Sequence, residues 1–263
     1  MITLTNPEHF DLRTIMNSGQ CFRIFEPEHN VFDVLSMDRW VRVYYDGDTN
    51  TYTFDCSYGE FVWWQYYFDL NKDYQPFFDT VTASNDAFLK NAAAYGDGMR
   101  ILNQNYWETV VSFIISQNNN IPRIKKSIEA LCEKFGELMT KYGITHYTFP
   151  NQQVMSKIQP KDLIDLGLGY RDKYIYNVCT CDPALLSPKY YKLLSIPGIG
   201  PKVASCIMLF GVHDLTRCPI DTWMKKILQE VYNDNFDFTP YYGFEGFIQQ
   251  LMFYYYRYLK ARN

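Results

Sequence analysis

Lys202 stands where an amine can be put to chemical use. It belongs to the segment Leu193-Leu194-Ser195-Ile196-Pro197-Gly198-Ile199-Gly200-Pro201-Lys202-Val203-Ala204, in which two glycines separate an apolar helix end from a fresh helix start. With no side chain at Gly198 or Gly200, a phosphate can approach the backbone N–H groups at the positive end of the second helix. That is an anion site by geometry, although the same Pro-Gly-x-Gly pattern also serves simply to join two helices. Lys202 falls in the first turn of the second helix, beside the expected phosphate. The helix dipole and a desolvated site disfavour its ammonium form and leave neutral amine to attack a sugar C1′, whereas phosphate charge acts in the opposite direction. Taken alone, a lysine here is more often a phosphate contact. Nineteen residues on, Pro219-Ile220-Asp221-Thr222-Trp223 precedes the apolar helix Met224 to Tyr232 and puts Asp221 at its N-cap. A capped carboxylate stays ionised, so it can also stabilise positive charge developing on a sugar as a base departs. Capping and catalysis ask for the same position.

The elements that must hold these groups are legible in outline. From Cys21 to about Phe68 the chain is dense in β-branched and aromatic residues, as in Val41-Arg42-Val43-Tyr44-Tyr45 and Thr51-Tyr52-Thr53-Phe54, with Asp46-Gly47 between them. This predicts an antiparallel sheet with a hairpin turn at Asp46-Gly47. After about Asp69 the pattern turns helical. Ile124, Ile128, Leu131, Cys132 and Phe135 recur at helical spacing behind Pro122, a good first helical residue, and Gly136 ends the run. Trp107 to Ile115 is almost wholly apolar, which predicts a buried helix. The expected class is α+β, with a sheet domain over 1–100 and a helical domain over 101–263 that carries the helix-hairpin-helix at about 189–212.

Net charge is −4 with a pI near 5.6, at first sight a poor match for a phosphate partner. The average hides a division: residues 1–100 hold seven basic and fifteen acidic side chains, net −8, and residues 101–263 hold eighteen and fourteen, net +4. A phosphate-facing surface belongs in the second part, although two ordinary solvated faces would give the same numbers. No stretch reaches the roughly 18 apolar residues of a membrane span, and no signal segment opens the chain. The seven cysteines (Cys21, Cys56, Cys132, Cys179, Cys181, Cys206, Cys218) show neither paired zinc spacing nor a cluster-binding run. They read as reduced thiols, and the protein as cytoplasmic, nucleoid-associated if prokaryotic.

A helix, a Pro-Gly-x-Gly-x-Lys hairpin, a helix and then Pro-x-Asp about twenty residues later resembles the helix-hairpin-helix glycosylase superfamily. Five blocks narrow the likeness: Ser18-Gly19-Gln20-Cys21-Phe22-Arg23, Asn118 to Ile124, Leu166-Gly167-Leu168-Gly169-Tyr170-Arg171, Gly198 to Ile207, and Gly246-Phe247-Ile248-Gln249 to Phe253. In this order they are similar to the 8-oxoguanine DNA glycosylases. The resemblance implies a bifunctional glycosylase and abasic-site lyase, a monomer, acting on double-stranded DNA with 8-oxoguanine opposite cytosine. It implies no cofactor and no catalytic metal, although hairpin carbonyls in the superfamily commonly hold a monovalent cation.

By that resemblance Lys202 is the nucleophile and Schiff-base residue, and Asp221 its electrostatic partner. Cys206, four residues after Lys202, shares its helix face and lies against one side of the inserted base. Phe253 stacks on the other side while the Gln249 amide, donor and acceptor together, reads the Watson–Crick edge. Gly19 supplies a backbone carbonyl for the N7–H that distinguishes the lesion from guanine. Asn118 fills the gap left by the flipped nucleotide, Tyr170 wedges, and Arg123 with Arg171 reach the estranged cytosine. Each position also has a plain packing, turn or capping role available to it. Two departures stand out: the family often has His where this chain has Trp223, and Asp where it has Tyr256, and both fall on one supporting interaction. Two other readings stay open, a glycosylase for another lesion such as an oxidised pyrimidine, and a non-catalytic DNA-binding module that uses the hairpin as a phosphate clamp.

Overall fold

The computed structural model describes residues 1–262. Its strands are β1 (Ile2–Thr5), β2 (Ile24–Glu28), β3 (Val31–Ser36), β4 (Arg39–Asp46), β5 (Thr51–Phe54), β6 (Leu138–Lys141) and β7 (Ile144–Tyr147). Its α-helices are α1 (Leu12–Asn17), α2 (Tyr58–Tyr67), α3 (Gln75–Ala83), α4 (Ala87–Tyr95), α5 (Tyr106–Ile115), α6 (Ile121–Phe135), α7 (Gln152–Met155), α8 (Asp172–Thr180), α9 (Tyr190–Leu193), α10 (Pro201–Gly211), α11 (Thr222–Tyr232) and α12 (Glu245–Arg262). The first five strands form one antiparallel sheet in the order β1-β5-β4-β3-β2. The fold is the expected α+β, sheet first and helices after.

Side-chain alternation sets the register. Val34 lies opposite Val41 and Val43 opposite Phe54, so one face carries a continuous apolar layer. Phe61, Trp64 and Phe68 close that layer from α2 and the residue after it. Helix therefore begins at Tyr58, earlier than the expected change near Asp69. Its aromatic residues read as strand in isolation, but the Ser57 capping box with Glu60 starts a helix there. The helical core is separate and larger, centred on α5, whose residues Trp107 to Ile115 are all buried as expected. Helix α6 carries Pro122 in its first turn and ends at Gly136, also as expected.

The packing crosses the line expected at residue 100. Helices α3 and α4 contribute Phe78, Val81, Leu89 and Ala92 to the helical core, while Leu102 belongs to the sheet core. The reason is the long α12, which returns along α4 and draws this early segment into the helical body. A second difference is the hairpin β6–β7, which turns at Tyr142 and Gly143, both at positive φ, the backbone of a tight two-residue hairpin. It covers the sheet's second face, with His146 4.7 Å from the Trp40 ring and the Arg42 guanidinium 4.2 Å from the Tyr142 ring. No helix among the described residues is long and apolar enough to cross a membrane.

Candidate active site and nucleic-acid interface

The hairpin between α9 and α10 is built on one obligatory glycine. Gly198 has φ +101, and a Cβ there would lie 2.4 Å from Cγ of Tyr174 on α8. Gly198 is thus required by backbone conformation and by packing rather than by room for a ligand. Gly200 differs, because a Cβ there would meet nothing within 4 Å. It leads into α10, which has no side-chain cap and starts with Pro201, so the N–H groups of its first turn remain free for an anion. We expect Gly198→Ala to lower stability by about 2–4 kcal/mol through the combined strain and overlap. A urea midpoint that moved by less than about 0.5 kcal/mol equivalent would show that Tyr174 yields.

Lys202 follows in that first turn. It is half-buried, with Nζ 5.7 Å from the ring centroid of Phe113 on α5. Cys206, one turn on, is 3% exposed. Burial pushes its thiol up, the nearby Lys202 cation pulls it down, and Asp221 pushes it up again. All three groups therefore share one electrostatic neighbourhood. Asp221 is the N-cap of α11, as the sequence predicts, and its Oδ1 accepts from the amides of Trp223 at 2.9 Å and Met224 at 2.8 Å. Oδ2 has no hydrogen-bond partner among the described residues. Lys202 and Asp221 line one cleft of about 770 Å³ with Gly19, Asn118, Tyr170, Gly200 and Phe253.

Gly19 reaches this cleft because its neighbours are tied down. Gln20 is buried and bonds the backbone at Arg100 and Leu102, and Arg23 bonds Glu129 and the Tyr147 carbonyl. Held between them, Gly19 takes φ +83, and a Cβ would lie 3.4 Å from the Phe253 ring edge. Its carbonyl accepts no hydrogen bond among the described residues. The same positive φ serves the turn and leaves the carbonyl unpaired among the described residues.

The loop after α5 is clamped. The Gln117 carbonyl accepts from Arg171 Nε at 2.7 Å and, more closely, from its Nη2, which also bonds the Asn118 carbonyl at 2.8 Å. Nη1 bonds the Leu168 carbonyl. At 4% exposed, with these carbonyls on its fork, Arg171 braces the loop. Arg123, by contrast, is exposed at the start of α6. Asn118 is exposed at φ +45, and Tyr170, 47% exposed, stands edge-on to Tyr174. Gln117 links loop to hairpin by donating to the Gly198 carbonyl at 2.9 Å.

Gln249, only 3% exposed, and Cys206 lie behind the cleft wall instead of on it. The Gln249 amide oxygen accepts from Gln250 at 3.0 Å. Phe253 does line the cleft. Trp223 and Tyr256, the two departures, pack together edge-on at 6.2 Å, and Tyr256 donates to Glu230. Gln117, Phe113 and Arg257 escaped the sequence reading. Arg257 alone had a signal, its i+4 spacing from Phe253. The hairpin carbonyls of Leu193, Ile196 and Gly198 each accept one hydrogen bond.

Residues 2–110 match the 8-oxoguanine DNA glycosylase N-terminal domain, and residues 111–238 match the HhH-GPD superfamily of base excision DNA repair proteins. A solved structure of MBOgg1 with a low-affinity DNA ligand superposes with a TM-score of 0.89 at 32% identity, over 98% of this chain and 96% of that one. The chain belongs to the 8-oxoguanine DNA glycosylase family. Another member, the Clostridium acetobutylicum 8-oxoguanine glycosylase/lyase solved with double-stranded DNA containing cytosine opposite 8-oxoguanine, gives 0.88 at 30% identity, covering 98% and 95%. The N-glycosylase/DNA lyase of Saccharomyces cerevisiae is 35% identical over 190 residues, 63% of this chain. The match spans half the length of that yeast glycosylase. Within the family's fold, the sheet segment delivers Gly19 and the helical part delivers every other proposed residue.

Proposed function

We propose that this chain is a bifunctional DNA glycosylase and abasic-site lyase that removes 8-oxoguanine from duplex DNA. The observation that carries the reading is Lys202 and Asp221 on one cleft wall beside an uncapped helix start. The neutral Lys202 amine attacks C1′ as the C1′–N9 bond breaks and its electron pair leaves with the base, which takes up a proton. Asp221 stabilises the positive charge on the sugar as that bond lengthens. The amine loses its protons, the sugar ring opens and an imine forms between Nζ and C1′. Loss of a C2′ proton then expels the 3′-phosphate by β-elimination, and water releases the enzyme.

For selection, N7–H of the lesion donates to the Gly19 carbonyl, while guanine presents a lone pair there and leaves that acceptor unpaired, a difference of about 1–3 kcal/mol. Phe253 and Cys206 enclose the base and Gln249 meets its Watson–Crick edge. Asn118 and Tyr170 occupy the vacated stack, so that the few kcal/mol spent on extrusion are recovered in contacts. All these groups come from one chain, which supports action as a monomer.

The direct test is a gel assay on duplexes carrying 8-oxoguanine. Strand scission without alkali is expected, and intact strands with and without alkali would remove the reading. Excision should also be faster opposite cytosine than opposite adenine. With Arg171 engaged by carbonyls, exposed Arg123 carries the preference, worth about 1–3 kcal/mol for a bidentate contact, or roughly ten- to a hundredfold in rate. Arg123→Ala should shrink it by slowing the cytosine pair. Equal rates for all four pairings in the wild type would make Arg123 a phosphate contact.

A further inference from the structure

Arg257 lines the same cleft as Lys202 and Asp221, yet the mechanism above gives it nothing to do. Its guanidinium carbon lies 5.2 Å from the Phe253 ring centroid, and Nη1 would be 3.7 Å from a Cβ on Gly19. Its one hydrogen bond among the described residues is long, Nη1 donating to the Asn17 carbonyl at 3.4 Å. Burial lowers its pKa, and Asp221 is near enough to raise it without forming an ion pair. A partly desolvated cation without a carboxylate partner is costly to keep unless a ligand brings the anion. The cleft wall also carries Lys202 and Lys225 against Asp221 alone, so positive charge is in excess there.

A nucleotide leaving the stack carries one kind of anion whatever its base, namely the phosphates on either side. We propose that Arg257 grips a phosphate flanking the extruded nucleotide, a contact made only after extrusion. Its planar fork suits two phosphate oxygens, and Phe253 holds the fork in place by cation–π contact. The neighbouring pair cannot supply this charge, because Trp223 is neutral and the Tyr256 hydroxyl is engaged by Glu230. The inference rests on the glycosylase reading only in that a nucleotide enters the cleft, not in which base it carries.

A duplex with a tetrahydrofuran abasic site isolates the contact, since it offers phosphates and no base. Arg257→Ala should weaken binding to this duplex about tenfold and reduce the log–log salt slope by about one, with undamaged duplex changed less than about twofold. Arg257→Lys should keep the slope, which separates lost charge from lost fold. A methylphosphonate at one flanking position should weaken the wild type by a similar factor and leave Arg257→Ala unaffected. Wild-type affinity of Arg257→Ala for the abasic duplex would overturn the proposal. So would a loss seen only when 8-oxoguanine is present, because the fork would then read the base, or methylphosphonate and alanine losses that simply add. If the pattern holds in a chain that excises no 8-oxoguanine, Arg257 keeps its role and the lesion assignment falls. If excision proceeds but the pattern is absent, Arg257 alone is lost.

Discussion

Lys202→Gln should abolish both base release and borohydride trapping, lowering the excision rate by roughly 10⁴-fold or more, as expected when a sole nucleophile is removed. Affinity for lesion DNA should change little. The anion site in front of α10 is made by backbone N–H groups and by the open space at Gly200, none of which the substitution touches. Folding should also persist, because the main interaction lost is the cation over the Phe113 ring at 5.7 Å, worth about 0.5–1 kcal/mol. Single-turnover excision, trapping and a melting curve on one preparation check all three expectations. A normal trapped complex in this variant would place the nucleophile elsewhere.

Asp221→Asn should separate the two roles of the N-cap. Asparagine caps about as well as aspartate, and its amide oxygen can take the Trp223 and Met224 N–H groups that Oδ1 accepts now. Helix α11 should therefore stay within about 0.5 kcal/mol of its present stability. The charge, however, is gone. If the carboxylate acts on the cation developing at the sugar, the chemical rate should drop by roughly 10²–10³, with binding of intact substrate nearly unchanged. Asp221→Ala should lose both, adding about 1 kcal/mol of destabilisation to the rate loss. If Asn reacts at the wild-type rate, the carboxylate is only a cap.

The two unusual residues bear on how these experiments read. Trp223 lines the cleft and packs edge-on against Tyr256, which is buried and tied to Glu230, itself 2.9 Å from Lys260. This arrangement stiffens the junction of α11 and α12 without carrying charge into the cleft. Rigidity beside Asp221 is thus provided by packing, and the further positive charge of the cleft comes from Lys225 and Arg257.

Local signals were enough wherever a short stretch of chain answered to its own chemistry. Asp221 as a cap, Pro122 and Gly136 as the bounds of α6, the buried run in α5, and Lys202 in the first turn after a glycine hairpin could all be read directly. In each case the deciding interaction spans only a few residues, so spacing and residue type are sufficient. Long-range packing decided the rest. Nothing near Gly198 announces Tyr174, twenty-four residues earlier, and nothing near Arg171 announces that the Gln117 and Asn118 carbonyls take its fork. The β6–β7 hairpin becomes intelligible only as a cover for Trp40 and Arg42 on the far face of the sheet. Gly19 and Phe253 stand 234 residues apart, yet they form one slot because α12 folds back on the N-terminal segment. A side chain's neighbours across such distances are chosen by which surfaces must be buried together. That choice is made by the whole chain at once, and no local pattern records it.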